Sequence, residues 1–194
     1  MRLDHIAYRV QDRYKTAKFF KDTLGYTTGT EFQIEFDDGT TADCLALAPP
    51  EQRSSNTSKW ILPQLQYEPS ILDKRVSDSN NSIKAEYHAP PEIFVSDGPE
   101  GSIVGDWVSE RGGIGGIHHI AYQVEDVSAT MREWKTMGYA EFLSTKPLTC
   151  TGLVQVFTKP SELTGVIYEL IERQGDGFCE SNVKDLMTST KELI

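Results

Sequence analysis

The sequence predicts an α+β fold built from one β-α-β-β-β unit used twice. Two observations carry this reading. The first is an internal repeat: "DHIAYRVQD" (Asp4 to Asp12) and "HHIAYQVED" (His118 to Asp126) agree at six of nine positions, 114 residues apart. The second is that apolar periodicity changes from two to that of a helix at the same place in both copies.

The opening run of each copy is rich in Ile, Val, Tyr and Ala, as expected of a strand. Asp12 and Asp126 follow as N-caps. Tyr14, Ala17, Phe20 and Leu24 then recur at helical spacing, and Val127, Met131, Trp134 and Met137 do so in the second copy. Gly25 and Gly138 suit helix C-termini. Three extended segments complete each unit. In these, "TADCLALAP", ending at Pro49, matches "TGLVQVFTKP", ending at Pro160, and "EIFV" from Glu92 matches "ELIE" from Glu169. The modules span 1–98 and 114–175 of a single domain, 1–194. A polar insertion, 51–82, divides the first copy and acts as a functional or a mobile loop. A closing helix is expected over 181–193, with Asn182 as its cap and Val183, Leu186 and Met187 on its apolar side.

Composition narrows the function. With 194 residues and a formal charge of −10, the chain lacks the basic surface that nucleic acid or an anionic membrane requires. No apolar run is long enough for a membrane span. Arg2, Asp4 and His5 interrupt any apolar leader, so a cytoplasmic location is expected. Cys44, Cys150 and Cys179 show no paired spacing and are expected to be three reduced thiols.

Strand alternation places His5 with Leu3, Ala7 and Arg9 on one face, and His119 with Ile117, Ala121 and Gln123 on the equivalent face. The other face, with Ile6, Tyr8, Val10, Ile120, Tyr122 and Val124, should pack on a helix. His118 is expected to point away from His119. Glu169 shares a strand face with Ile167 and Ile171, where a carboxylate is costly unless paired or bound to a metal. His5, His119 and Glu169 therefore form a candidate N/O site for a divalent metal, with Glu92 as a possible fourth ligand. His88 has no partner in the second copy and reads as structural or surface.

These residues, "DHIAYRV", "HHIAYQV" and "YELIE", resemble the vicinal oxygen chelate superfamily, which includes glyoxalase I, methylmalonyl-CoA epimerase and extradiol dioxygenases. The resemblance implies two βαβββ modules in a cupped, barrel-like mixed sheet around one metal. His5, His119 and Glu169 would stand at its ligand positions, and Glu92 near the fourth ligand of the isomerases. A narrower resemblance joins "GLVQVFTKP" and "YELIERQGDGFCESNVKDLM" to 4-hydroxyphenylpyruvate dioxygenase and hydroxymandelate synthase. It implies that Gln155 and Phe157 line the pocket, that Phe178 sits near its mouth after a Gly-Phe-Gly-like turn, and that the last helix gates it. Val183 departs from the phenylalanine of those enzymes, which are also about twice as long.

The resemblance implies Fe(II), with Co, Zn, Ni, Mg or Mn as alternatives, and a small-molecule substrate; a homodimer is a further implication. The expected activity is a dioxygenase acting on a small 2-oxo acid or aromatic substrate. The alternative is a redox-neutral epimerase or isomerase of the methylmalonyl-CoA epimerase or glyoxalase I type. Those epimerases carry a catalytic glutamate on the strand ending at Pro49, where this chain has Cys44, with Asp43 one step out of register and facing the other way. A third reading is a non-catalytic ligand-binding protein of the same fold.

Overall fold

The computed structural model describes residues 1–50, 90–174 and 178–193. The 51–82 insertion, His88 and residues 175–177 lie outside the described residues. In chain order the elements are β1 (Arg2–Arg9), α1 (Arg13–Leu24), β2 (Thr27–Glu35), β3 (Thr41–Ala48), β4 (Glu92–Asp97), α2 (Ile103–Glu110), β5 (Gly116–Gln123), α3 (Val127–Thr136), β6 (Leu148–Cys150), β7 (Leu153–Phe157), β8 (Ile167–Arg173) and α4 (Glu180–Ser189). A short 3-10 turn, Lys191–Leu193, follows α4.

All eight strands join one mixed, curled sheet in the order β2-β3-β4-β1-β5-β8-β7-β6. Read outward from the centre, both halves run alike: β1, β4, β3, β2 on one side and β5, β8, β7, β6 on the other. β1 and β5 pair antiparallel at the junction, while β1·β4 and β5·β8 are parallel. The repeat in the sequence is thus a pseudo-twofold in the sheet, and it sets His5 and His119 on adjacent central strands.

The capping expectations hold for α1 and α3. Asp12 accepts from the Lys15 amide at 2.9 Å and Asp126 from the Ala129 amide at 2.7 Å, satisfying amides that a helix start leaves unpaired. Gly25 ends α1 at φ 76°. Gly138, at φ 68°, stands one residue beyond the α3 C-cap, Met137. A side chain would be strained at either glycine. α1 covers the outer sheet face through Ala17 and Phe20, which pack with Ile6, Tyr8, Leu45, Leu47, Ile93 and Val95. α3 does the same through Val127 and Met131 against Val156 and Leu170. Tyr14, Leu24 and Met137, expected on the apolar stripes, are exposed because they overhang the helix ends.

Two expectations are corrected and one helix is unforeseen. Asn182 does not cap the last helix: α4 begins after Cys179, and Asn182 is buried inside it. α2, absent from the repeat, links the modules and buries Ile103, Val104, Trp107 and Val108. Cys150 and Cys179 are joined in a disulfide, leaving Cys44 as the free, buried thiol. The pair lies 29 residues apart, and only the closure of α4 over β6 brings it together, so no short spacing announces it. Among the described residues no helix is long and apolar enough to cross a membrane.

Candidate metal centre

The concave sheet face is closed by α4, whose Val183 and Met187 pack with Ala7, Phe94 and Phe178 while Leu186 meets Phe157 and Ile167. Between them lies a cavity of about 30 Å³, room for roughly two water molecules. Into it point His5, His119 and Glu169, each buried.

Their ligand atoms form a near-equilateral triangle. His5 Nε2 lies 3.2 Å from His119 Nε2, and Glu169 Oε2 lies 3.2 Å from each of them. Ligands about 2.0–2.2 Å from one ion and at right angles to one another stand about 3 Å apart. The triangle therefore fits one face of a coordination sphere. Two imidazoles and a carboxylate form a donor set suited to a divalent ion such as iron, cobalt or zinc.

A second layer of side chains orients each ligand. Asp4 accepts from His5 Nδ1 at 2.8 Å, leaving Nε2 free to ligate. Asp4 is itself held by Arg173, through Nη2 at 2.9 Å and Nε at 3.2 Å. His118 Nδ1 lies 2.9 Å from His119 Nδ1. With His119 Nε2 ligating, its Nδ1–H donates, so His118 must be neutral to accept. Gln155 donates from Nε2 to Glu169 Oε1 at 2.6 Å, and its carbonyl accepts from Asn182 Nδ2 at 3.0 Å. Thus α4 is wired to the carboxylate ligand.

The electrostatics follow. Burial opposes charge on His5, but the Glu169 and Asp4 carboxylates outweigh it and raise its pKa to about 9. Burial lowers the pKa of His119 despite Glu169, and burial with the Arg9 and His119 charges lowers that of His118 further. Burial disfavours the Glu169 carboxylate, yet the two histidines hold its pKa well below the usual range.

His118 does not point away from His119 as simple alternation requires. Ala7 pairs with His119 but Tyr8 pairs with Ile117, so His118 is an extra residue on β5. Such a bulge lets two successive side chains serve one site. Asp4 is the matching extra residue on β1, between Leu3 and His5. Each ligand histidine is thus preceded by a bulged residue that holds its Nδ1. The signal was present in the repeat, where Asp4 and His118 align.

The pairing register also corrects the match of Glu92 with Glu169. His5 faces Glu92 across β1·β4, whereas His119 faces Ile167 across β5·β8. Glu169 pairs with Ala121, two residues beyond His119, and its counterpart pairing with Ala7 is Phe94. Glu92 lies one pleat repeat away, about 6.6 Å along the strand. Among the described residues the cluster able to hold a metal is His5, His119 and Glu169, without Glu92.

Gln155, Phe157 and Phe178 all line the cavity. Phe157 lies against His119 with ring centroids 4.6 Å apart, and Phe178 against His5 at 5.1 Å and Phe94 at 4.9 Å. Cys44 faces this side of β3 together with Ala42 and Ala46. Asp43 faces the other side, where Arg13 meets it. Residues that the sequence reading missed are Asp4, His118 and Asn182, together with Arg9, which is buried on the same face of β1 as His5.

Among solved structures, a triple mutant of 4-hydroxymandelate synthase from Streptomyces coelicolor is similar at a TM-score of 0.68 and 18% identity, over 99% of this chain and 54% of that one. The chain thus spans about half the length of that protein. Methylmalonyl-CoA epimerase from Mycobacterium tuberculosis is similar at 0.56 and 20% identity, over 89% of this chain and 88% of that one. A methylmalonyl-CoA epimerase from Streptomyces coelicolor, in complex with 2-nitronate-propionyl-CoA, reaches 0.52 at 20% identity, over 90% and 99%. At these identities the likeness is one of fold. No curated protein matches the chain at the sequence level. The model of the glyoxalase/bleomycin resistance protein/dioxygenase superfamily matches residues 4–152, a span that holds both histidines and ends before Glu169. The chain is a member of the glyoxalase/bleomycin resistance protein/dioxygenase superfamily.

Proposed function

We propose that this protein is an Fe(II)-dependent oxygenase acting on a small 2-oxo acid. The observation that carries the reading is the three-ligand face: His5, His119 and Glu169 converge, while the position related to Glu169 in module one is Phe94, which has no donor atom. Two imidazoles and one carboxylate on one side leave open positions for a bidentate substrate and a small gas. An iron held there would supply the redox chemistry.

The chain's own residues do the rest. Asp4 and His118 fix which ring nitrogens face the centre. Gln155, braced by Asn182, holds the remaining oxygen of Glu169, so that one oxygen is presented. Phe157, Phe178 and α4 exclude water. The small cavity limits the substrate to a compact molecule, and anything above a few atoms enters by displacing Phe178 and α4. All the proposed ligands come from one chain, so a homodimer is not needed to complete the site. No nucleic-acid or membrane partner is proposed.

The epimerase reading has less support. It asks for a fourth ligand and for a proton-transferring carboxylate on β3. The concave face of β3 carries Ala42, Cys44 and Ala46, and Glu169 is the sole carboxylate lining the cavity among the described residues.

The test is an anaerobic titration of the Fe(II)-loaded protein with 2-oxo acids, followed by visible absorption. A new charge-transfer band, then substrate-dependent O2 uptake, is the expected result. Bound iron with no band for any 2-oxo acid, together with proton exchange on an acyl thioester, would overturn the oxygenase in favour of the epimerase.

A further inference from the structure

Arg9 is not used in the scheme above. It is 1% exposed and lines the same cavity. Its Nη2 donates to Thr190 Oγ1 at 2.9 Å, and that hydroxyl donates onward to the Met187 carbonyl at 2.7 Å. Its Nη1 is buried with no hydrogen-bond partner, alone in this among the buried side-chain atoms of the described residues. No described carboxylate forms an ion pair with it. The nearby charge is Arg111, which together with burial works against the cation. Trp107 lies 5.9 Å from the guanidinium and Ser96 pairs with Arg9 across β1·β4.

A guanidinium is weakly hydrated and always charged, and it is suited to carboxylates. Buried without an anion it is costly. An unpaired N–H beside a cavity is therefore a donor suited to receive an anion. His5, Ala7 and Arg9 share one face of β1, so Arg9 stands about 13 Å along the strand from His5. A five-carbon backbone spans roughly 5 Å at about 1.5 Å per bond. With a metal–oxygen bond of about 2 Å and a charge-assisted hydrogen bond of about 2.8 Å, it reaches most of that distance. Side chains leaning into the cavity supply the remainder.

We infer that Arg9 anchors a second carboxylate at the far end of the substrate, which makes the substrate a short dicarboxylic 2-oxo acid of about five or six carbons. The inference rests on the 2-oxo acid reading of the metal centre for the near end, and on Arg9 alone for the far end.

The experiment compares 2-oxoglutarate with 2-oxopentanoate, which has the same backbone without the far carboxylate. Both are titrated anaerobically into Fe(II)-loaded wild type, Arg9→Gln and Arg9→Lys, with the charge-transfer band as readout. Wild type should bind the dicarboxylate about 10- to 100-fold more tightly, the range of charge-assisted hydrogen bonds to a buried group. Arg9→Gln should lose that preference with its iron content unchanged, and Arg9→Lys should keep part of it. Equal affinities in wild type, or a preference that survives Arg9→Gln, would overturn the inference. A second arm uses glutarate, which lacks the 2-oxo group, and reads the thermal midpoint. If no 2-oxo acid gives a band but glutarate raises the midpoint of wild type and not of Arg9→Gln, the anion site stands and the metal-centre reading fails. If glutarate raises neither and no band forms, both fail.

Discussion

Replacing Asp4 with Asn tests whether the residue before each histidine tunes the metal centre. Asp4 accepts from His5 Nδ1 at 2.8 Å and from Arg173 at 2.9 and 3.2 Å. Asn is nearly isosteric and can still accept from His5, but it removes the charge and turns the oxygen that accepts from Arg173 Nε into a donor. Loss of such a partner costs about 10- to 100-fold in metal affinity. The proton on His5 makes the effect depend on pH. In the metal-free protein the pKa of His5 is raised to about 9, by Glu169 and Asp4 against burial. Metal must displace that proton. Wild-type affinity should therefore climb about tenfold per pH unit up to about pH 9 and then level off. At pH 7 it should stand about a hundredfold below the plateau. In Asp4→Asn the proton is held less tightly, so the plateau begins at lower pH. The variant should be weaker by the full 10- to 100-fold above pH 9, and the gap should narrow towards pH 7. Competition of Co(II) or Zn(II) against a chromophoric chelator from pH 6.5 to 9.5 measures both curves. Equal affinities above pH 9, or a gap that widens as pH falls, would refute the argument.

Asn182→Leu removes the donor to the Gln155 carbonyl. A buried acceptor left unpaired costs about 1–3 kcal/mol, and metal affinity should fall with stability because Gln155 no longer holds Glu169; unchanged metal titrations would separate α4 from the ligand. Phe94→Glu places a carboxylate at the position related to Glu169. It should tighten metal binding and abolish the charge-transfer band of a bound 2-oxo acid, and a persistent band would show that Phe94 does not border the open face. Cys150→Ser opens a cross-link between residues 29 apart, which chain entropy values at roughly 3–4 kcal/mol. Its melting midpoint should match that of wild type in reductant and lie below oxidised wild type; no response of wild type to reductant would count against the bond. The metal-free protein should also lose stability as pH rises. The raised pKa of His5 gives a contribution present below about 6.5 and lost through about 9, so thermal midpoints should fall over that window and stay flat once metal is bound.

The parts of the fold legible in sequence were those with a local cause. Asp12, Gly25 and Asp126 announce helix ends through backbone chemistry within a few residues. The alternation Ile6, Tyr8, Val10 declares a buried outer face. His5, His119 and Glu169 could be paired because the repeat put two of them on equivalent strands. What failed depended on register, which sequence similarity fixes poorly when one residue can be inserted. Pro49 and Pro160 align correctly, since β3 and β7 have the same length to the strand end. "EIFV" and "ELIE" look alike yet are two residues out of phase, and that shift moves a carboxylate from Glu92 to an apolar place at Phe94. The bulges at Asp4 and His118 break strict alternation, so two second-layer residues were assigned to the wrong face or not assigned. The disulfide and the Asn182 contact are tertiary, and nothing near them in sequence signals either.

The two modules share a backbone but not a task, and the site lies where the symmetry is broken. Module two contributes Glu169 where module one has Phe94, and Gln155 where module one has Cys44. That set holds the carboxylate ligand and ties it to α4. Module one contributes Arg9 where module two has Gln123, so its cation comes without a copy on the other side. A strictly symmetric cup would offer the same donors from both halves and no direction along the cavity. Here the ligands lie towards one end of β1 and the guanidinium at the other. A bound molecule therefore has a head that meets the metal centre and a tail that meets Arg9. Reversing that polarity is the sharpest challenge to the scheme. In Arg9→Gln combined with Gln123→Arg the cation moves to the equivalent place in module two, beside β8. If the polarity argument is right, dicarboxylate preference should not return, because residue 123 pairs with Arg2 and Ile171, at the opposite end of the β1·β5 junction from Arg9, which pairs with Gly116. Recovery of the preference in the double variant would show that any cation near the cup suffices.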